Sequence, residues 1–272
     1  MGRSLAFLIS VLFATAVLFS VNTIGLLEPK TTAFEGEQAT YGNVGPGQTF
    51  TVQIDPIVRD SAGNFLGQWD TAEVISLPEG WSAKPSKIYD NPLIVEITAE
   101  KNAPEGDYLI QIDVNDEKGQ ENIGGDFTFW ILVTVRHDVL GMSITPEHLE
   151  AGAGQPARFE VTLNNLGSAK DVFSINATGV KGWEFARKIY LPPGGSKTFT
   201  YEVIGNDEAS YNVAFSAVSD SSNLIHREQK VSLGVRTSLL SDYKATSHGV
   251  LLFPIISTPI YSLAGLIGLL FP

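Results

Sequence analysis

The chain has 272 residues, 43% of them hydrophobic, with 30 acidic residues against 18 Lys and Arg and no cysteine. That length gives two domains of ordinary size room to build a core. The lack of cysteine excludes disulfides, thiolate metal sites, Cys nucleophiles and iron–sulfur clusters, and the acidic balance, without a Lys/Arg cluster interleaved with aromatics, argues against a nucleic-acid partner.

Two uncharged runs bracket the chain, residues 4–27 and 249–271, each about as long as the ~20 residues that cross a bilayer core. Every charged residue except Arg3 falls in 28–245, which carries a net charge of −13. Residues 1–27 read as a signal peptide or signal anchor, with a short basic start at Met1 and Arg3, an apolar run, then polar sequence from Glu28. No clean small-residue cleavage site follows, so cleavage and retention both stay open. Either way, basic charge on the Met1 side predicts that residues 28–245 lie outside the cytoplasm, at the cell membrane.

Between the runs lies an internal duplication. Gly47-Gln48-Thr49-Phe50 is echoed by Gly154-Gln155, Gly80-Trp81 by Gly182-Trp183, and Ala103-Pro104-Glu105-Gly106-Asp107-Tyr108 by Asp207-Glu208-Ala209-Ser210-Tyr211. Each copy alternates with period two between turns. Phe50, Val52 and Ile54, then Leu93, Val95 and Ile97, then Tyr108, Ile110, Ile112 and Val114 form inward rows of the first copy, which closes on residues 127–135. In the second, Ala157, Phe159, Val161 and Leu163 point one way, the turn Asn164-Asn165-Leu166-Gly167 follows, and further rows start at Phe199 and Tyr211. The pattern predicts an all-β chain of two tandem Ig-like β-sandwich domains, residues 38–136 and 138–240, joined tightly near Arg136-His137-Asp138. A stalk over 241–248 leads to a hydrophobic membrane segment, residues 249–272, interrupted by Pro254 and Pro259. A kinked membrane helix is the preferred form of that segment, with a membrane-buried hairpin or a tail docked on a partner as alternatives.

Asp207-x-Ala209-x-Tyr211-x-Val213 resembles the strand F signature of Ig-type domains, with Val213 where a Cys would stand. The resemblance implies a Tyr ring buried at a sandwich corner, its hydroxyl bonded to upstream backbone. The first copy departs from it, with Pro104 at the Asp position, and Trp81 and Trp183 lie too close to their tyrosines to be the usual strand C Trp. Pro78-x-Gly80-Trp81 and the stretch Ala103-Pro104-Glu105-Gly106-Asp107-Tyr108-Leu109-Ile110 are similar to the Ig-like domain associated with α-galactosidases and NPCBM modules. That resemblance implies a bacterial or archaeal surface protein of the kind used as spacers or as accessory modules beside carbohydrate-active enzymes. Function is not inherited with the fold.

Site chemistry is sparse in the sequence. His137, His148, His226 and His248 lack zinc-ligand spacing. Asp113-x-Asn115-x-Glu117 followed by Gly119 resembles the start of an EF-hand loop, but the Gly is one position late and Gln120-Glu121 supplies no distal bidentate Glu. Asp113, Asp116 and Asp126 are therefore weak metal candidates, and a hydrophilic hairpin loop is the preferred reading. Asp60-Ser61-Ala62-Gly63-Asn64 reads as a turn. Asn176-Ala177-Thr178 is the one N-x-S/T sequon with an allowed middle residue, and inward Phe173 and Ile175 turn Asn176 outward as a possible N-glycosylation site.

No catalytic residue and no cofactor is expected. The preferred expectation is a non-catalytic, membrane-anchored extracytoplasmic structural or interaction protein, an accessory ectodomain of a membrane complex or a cell-surface scaffold with a protein partner. The alternative is a carbohydrate-binding surface module that recognises cell-surface glycan through exposed Trp69, Trp130 or Tyr243. A hydrolase with a carboxylate pair distant in sequence ranks behind both.

Overall fold

Alternation of apolar and polar residues fixes which face of each strand is buried, and here it builds two pairs of facing sheets. The structure, a computed structural model, describes residues 23–60, 62–117, 123 and 125–237. The first half contributes β1 (Thr23–Glu28), β2 (Lys30–Phe34), β3 (Gln38–Val44), β4 (Thr49–Ile54), β5 (Ile57–Arg59), β6 (Phe65–Gln68), β7 (Thr71–Ser76), β8 (Ser82–Lys84), β9 (Leu93–Thr98), β10 (Gly106–Asn115) and β11 (Asp126–Val135). One sheet has the order β2-β1-β4-β9-β8, the facing sheet β3-β11-β10-β7, and β5-β6 form a separate hairpin. Phe50, Val52 and Ile54 from one sheet meet Ile110, Ile112, Phe127, Phe129 and Ile131 from the other in a single core.

The second half contributes β12 (Leu140–Thr145), β13 (His148–Ala151), β14 (Pro156–Asn165), β15 (Asp171–Thr178), β16 (Ala186–Leu191), β17 (Ser196–Ile204), β18 (Ser210–Ser219) and β19 (His226–Val235). Its sheets run β12-β14-β17 and β13-β19-β18-β15-β16, and Phe159, Phe173, Tyr201 and Phe215 fill a second core. In each half an early strand pairs parallel with the last, β3 with β11 and β13 with β19, while the other ladders are antiparallel. The fold is thus all-β and of Ig-like type.

The apolar run read as continuing to Leu27 in fact ends in a strand. Residues 23–28 form β1, with Ile24 and Leu26 buried and Thr23, Gly25 and Leu27 turned outward. The first sandwich therefore takes in residues ahead of 38, since the hairpin β1-β2 belongs to its sheet. Five residues of alternating burial cannot be told from the end of a longer apolar run when the outward positions are Thr, Gly and Leu. Among the described residues there is no helix, hence none long and apolar enough to cross a membrane. Residues 1–22 of the signal or anchor segment expected over 1–27, the stalk and the C-terminal segment lie outside the described residues.

Candidate functional site

Tyr108 and Tyr211 each turn a corner at the start of the strand preceding the last one in their half. The Tyr108 hydroxyl donates to the Pro104 carbonyl at 2.9 Å and that of Tyr211 to the Asp207 carbonyl at 3.0 Å. The two copies thus share the device that the Ig resemblance implied, although only the second carries the Asp. Trp81 packs its ring against Tyr108, with centroids 5.2 Å apart, and against Phe50 at 6.3 Å. The repeated Gly-Trp step of the first copy is therefore core.

The most elaborate arrangement of polar side chains lies where the two sandwiches meet. Asp171, buried at the start of β15, accepts at Oδ2 from Gln48 Nε2 (2.9 Å), Ser219 Oγ (2.6 Å) and Ser221 Oγ (2.8 Å), and at Oδ1 from its neighbour Val172 N–H (2.7 Å). Gln48 belongs to the first half and returns its own Oε1 to the Gly45 N–H at 2.8 Å. Ser222 Oγ donates to the Pro46 carbonyl at 2.7 Å. Asn43 and Ser168 exchange two bonds, Asn43 N–H to Ser168 Oγ at 2.9 Å and Ser168 N–H to the Asn43 carbonyl at 2.7 Å. Gln48, Asp171, Ser219 and Ser222 are all buried, so each needs these partners to offset its desolvation.

Apolar contact seals the same boundary. Ala169 of the second half packs into the first core. A Cβ on Gly45 would stand 2.4 Å from Ile225 Cδ1 and 3.0 Å from Val139 Cγ2, so glycine there lets the halves approach. At the rim Lys170 reaches Glu28 at 2.9 Å, and Glu105 takes the His137 N–H at 2.9 Å. That backbone donor, together with the His137 ring, holds the Glu105 carboxyl below the usual carboxylate range. The sequence placed the joint near His137 and named Gln48 and Glu105 only within the repeat, while Asp171, Ser168, Ser219 and Ser222 carried no signal of their own. The Gly45-Pro46-Gly47 turn was a visible signal of a tight approach, but its opposite surface, residues 168–171 and 219–222, lies more than 120 positions away.

The sequence-derived candidates separate. Asp113 accepts from Thr128 Oγ1 at 2.7 Å across the β10-β11 ladder, and the Asn115 amide, with its NH2 assigned to the side facing the two carboxylates, donates to Asp126 Oδ1 (2.8 Å) and Asp113 Oδ2 (3.0 Å). An amide occupies the space between two of the three carboxylates, and among the described residues no group of three or more His, Asp or Glu is set to hold a metal. Gly119 and Gln120-Glu121 lie outside the described residues. His137 pairs with Glu105, while His148 Nδ1 stands 2.6 Å from Ser232 Oγ on another strand pair; His248 is outside the described residues. Asp60 forms the expected turn, taking the N–H groups of Ala62 and Asn64 on one oxygen. Asn176 is exposed on β15 between Ala186 and Ser216, which leaves its side-chain amide open to solvent.

Two of the aromatic candidates are corrected. Trp69 is buried, 1% exposed, against Phe127, and cannot present a ring to ligand. Trp130, a candidate for an exposed ring although its apolar strand favours burial, belongs to the outward row of β11 and is half-buried, between Gln111 and Gln38 on the flanking strands. Residues 129–133 of its strand are all apolar, which hides the period-two signal there. Tyr243 lies outside the described residues.

Comparison with known proteins adds little beyond the fold. No family model matches the chain, and no curated protein matches it. Among solved structures it is similar to the CARDB domain of a Pyrococcus furiosus protein, described in complex with di-metal ions, at 20% identity and a TM-score of 0.27, over 35% of this chain and 86% of that one. A β-glucosidase from Listeria innocua in complex with glucose is matched at 16% identity and a TM-score of 0.26, over 36% of this chain and 16% of that one. A chimeric titin Z1Z2 is matched at 11% identity and a TM-score of 0.32, over 80% and 98%. Likeness at this level carries no argument about ligand or activity.

Proposed function

We propose that this chain is a non-catalytic structural or interaction protein of the cell surface, a tandem of Ig-like sandwiches tethered to the membrane and serving as an accessory ectodomain or scaffold with a protein partner. The observation that carries this reading is the junction. Burying Gln48, Asp171, Ser219 and Ser222 in mutual hydrogen bonds fixes one orientation between the sandwiches, as a spacer or presentation module requires and an independent pair of domains does not. The uncharged runs at both ends and the acidic stretch between them support a membrane tether with residues 28–245 outside the cytoplasm. The Gly80-Trp81 and Ala103-to-Ile110 motifs support assignment to the NPCBM-associated Ig-like group of prokaryotic surface proteins.

Protease treatment of intact cells, followed by alkaline extraction of their membranes, tests the reading. The full-length chain is expected to resist alkaline extraction and to lose its ectodomain to external protease. Recovery in the soluble cytosolic fraction, protected until lysis, would end it.

One observation favours a second reading, glycan binding: Trp130 lies half open on a sheet face with an amide side chain on either side, a ring-and-amide pattern suited to stacking and hydrogen-bonding a sugar.

A further inference from the structure

Strand directions place the outlets of the chain. β4 runs from the junction, where Gln48 meets Asp171, toward Ile54 at the opposite end of the first sandwich. β1 pairs antiparallel with β4, Leu26 opposite Ile54, so Thr23 stands at the end remote from the junction. The uncharged run of residues 4–22 therefore joins the fold at that remote end.

The same end carries several exposed large apolar side chains. Phe34 closes the hairpin opposite Thr23 and is 50% exposed. The β5-β6 hairpin, which follows β4 at this end, presents Phe65 at 60% and, beside it, Leu66. The segment between β8 and β9 presents Ile88 at 57% and Tyr89, and is held here because Tyr89 N–H donates to the Asp70 carbonyl while Asp70 N–H donates to the Asn115 carbonyl at the end of β10. Among the described residues Tyr89 is also the one non-glycine residue with a left-handed backbone, φ 61°, a conformation that costs free energy and persists only where the surrounding structure imposes it. Three separate segments thus bring large apolar groups to one end, a grouping uncommon on a surface in contact only with water.

We infer that this end of the first sandwich rests on the lipid surface, with Phe34, Phe65, Leu66, Ile88 and Tyr89 in the interfacial layer beside the point where residues 4–22 enter the bilayer. Aromatic side chains favour that layer because it accepts an apolar ring and still hydrates its polar edge. The inference rests on the membrane-tether reading and adds the retention of the N-terminal run and the seating of the tip. A protein bound at the tip is the rival occupant.

The chain has no cysteine, so single labels can be placed at will. Full-length Phe65→Cys, Ile88→Cys and, as a control on the second sandwich, Tyr190→Cys are labelled with an environment-sensitive fluorophore in phosphatidylcholine proteoliposomes. Lipids spin-labelled near the headgroup serve as quenchers. Labels at 65 and 88 are expected to emit to the blue of the label at 190 and to be quenched several-fold more strongly. Equal quenching at all three sites in a liposome-bound chain overturns the seating but leaves the tether standing, as does a chain that is membrane-bound yet lacks residues 1–22 by mass. Labels at 65 and 88 that turn blue only on adding a protein from the native membrane overturn it in favour of the protein occupant. A chain that does not join the liposomes overturns tether and seating together.

Discussion

Asp171 shows how one residue can decide a two-sandwich arrangement. Its carboxyl group takes four hydrogen bonds, three of them from side chains, and Gln48 and Ser219 are themselves buried with it. Removing the acceptor strands Gln48 Nε2 and two serine hydroxyls, and each buried donor left unpaired costs about 1–3 kcal/mol. Asp171→Ala is therefore expected to destabilise the chain by about 2–4 kcal/mol. Urea unfolding of the detergent-solubilised full-length chain measures this. A loss below about 0.5 kcal/mol, the scatter of ordinary surface substitutions, would show that the network does not hold the junction. Ser221→Ala, which removes a single and less buried donor, should cost about 1 kcal/mol.

Elements whose two faces differ were legible in the sequence, and those whose faces are alike were not. β14 and β17 alternate apolar inside with polar outside, and Phe159, Val161, Leu163, Phe199, Tyr201 and Val203 all lie in the core as the pattern requires. The corner tyrosines were legible through the resemblance of the second copy, and the first copy follows because the bond is to a backbone carbonyl at the fourth residue upstream, Pro104 serving as well as Asp207. β1 was hidden by the apolar run before it, and the outward row of β11 by Trp130 and Leu132, which resemble core residues. The junction was illegible for a different reason: Gln48, Asp171 and Ser222 are ordinary turn residues in sequence, and their burial is created only when two distant surfaces meet.

At the scale of the whole molecule, the junction joins end turns of both sandwiches. β15 leaves Asp171 away from it, and Asn176 near its far end pairs with Ala186 at the start of β16. Position 184 therefore lies at the end of the second sandwich remote from the junction, as Lys87 does in the first. Ten-residue strands such as β10 and β18 rise by roughly 33 Å each, so labels at these two positions should stand on the order of 60 Å apart. If the buried network and the Gly45 contact fix the angle, pulsed electron–electron resonance on Lys87→Cys/Glu184→Cys in detergent gives one narrow distance distribution. Gly45→Val pushes a side chain into Ile225 and Val139, which line the junction side of the second core, and is expected to broaden that distribution while far-ultraviolet circular dichroism stays unchanged. A distribution already broad without Gly45→Val would mean that the sandwiches move independently despite their contacts. The spacer reading would then lose its basis, because a hinged pair cannot hold a surface at a set height above the membrane.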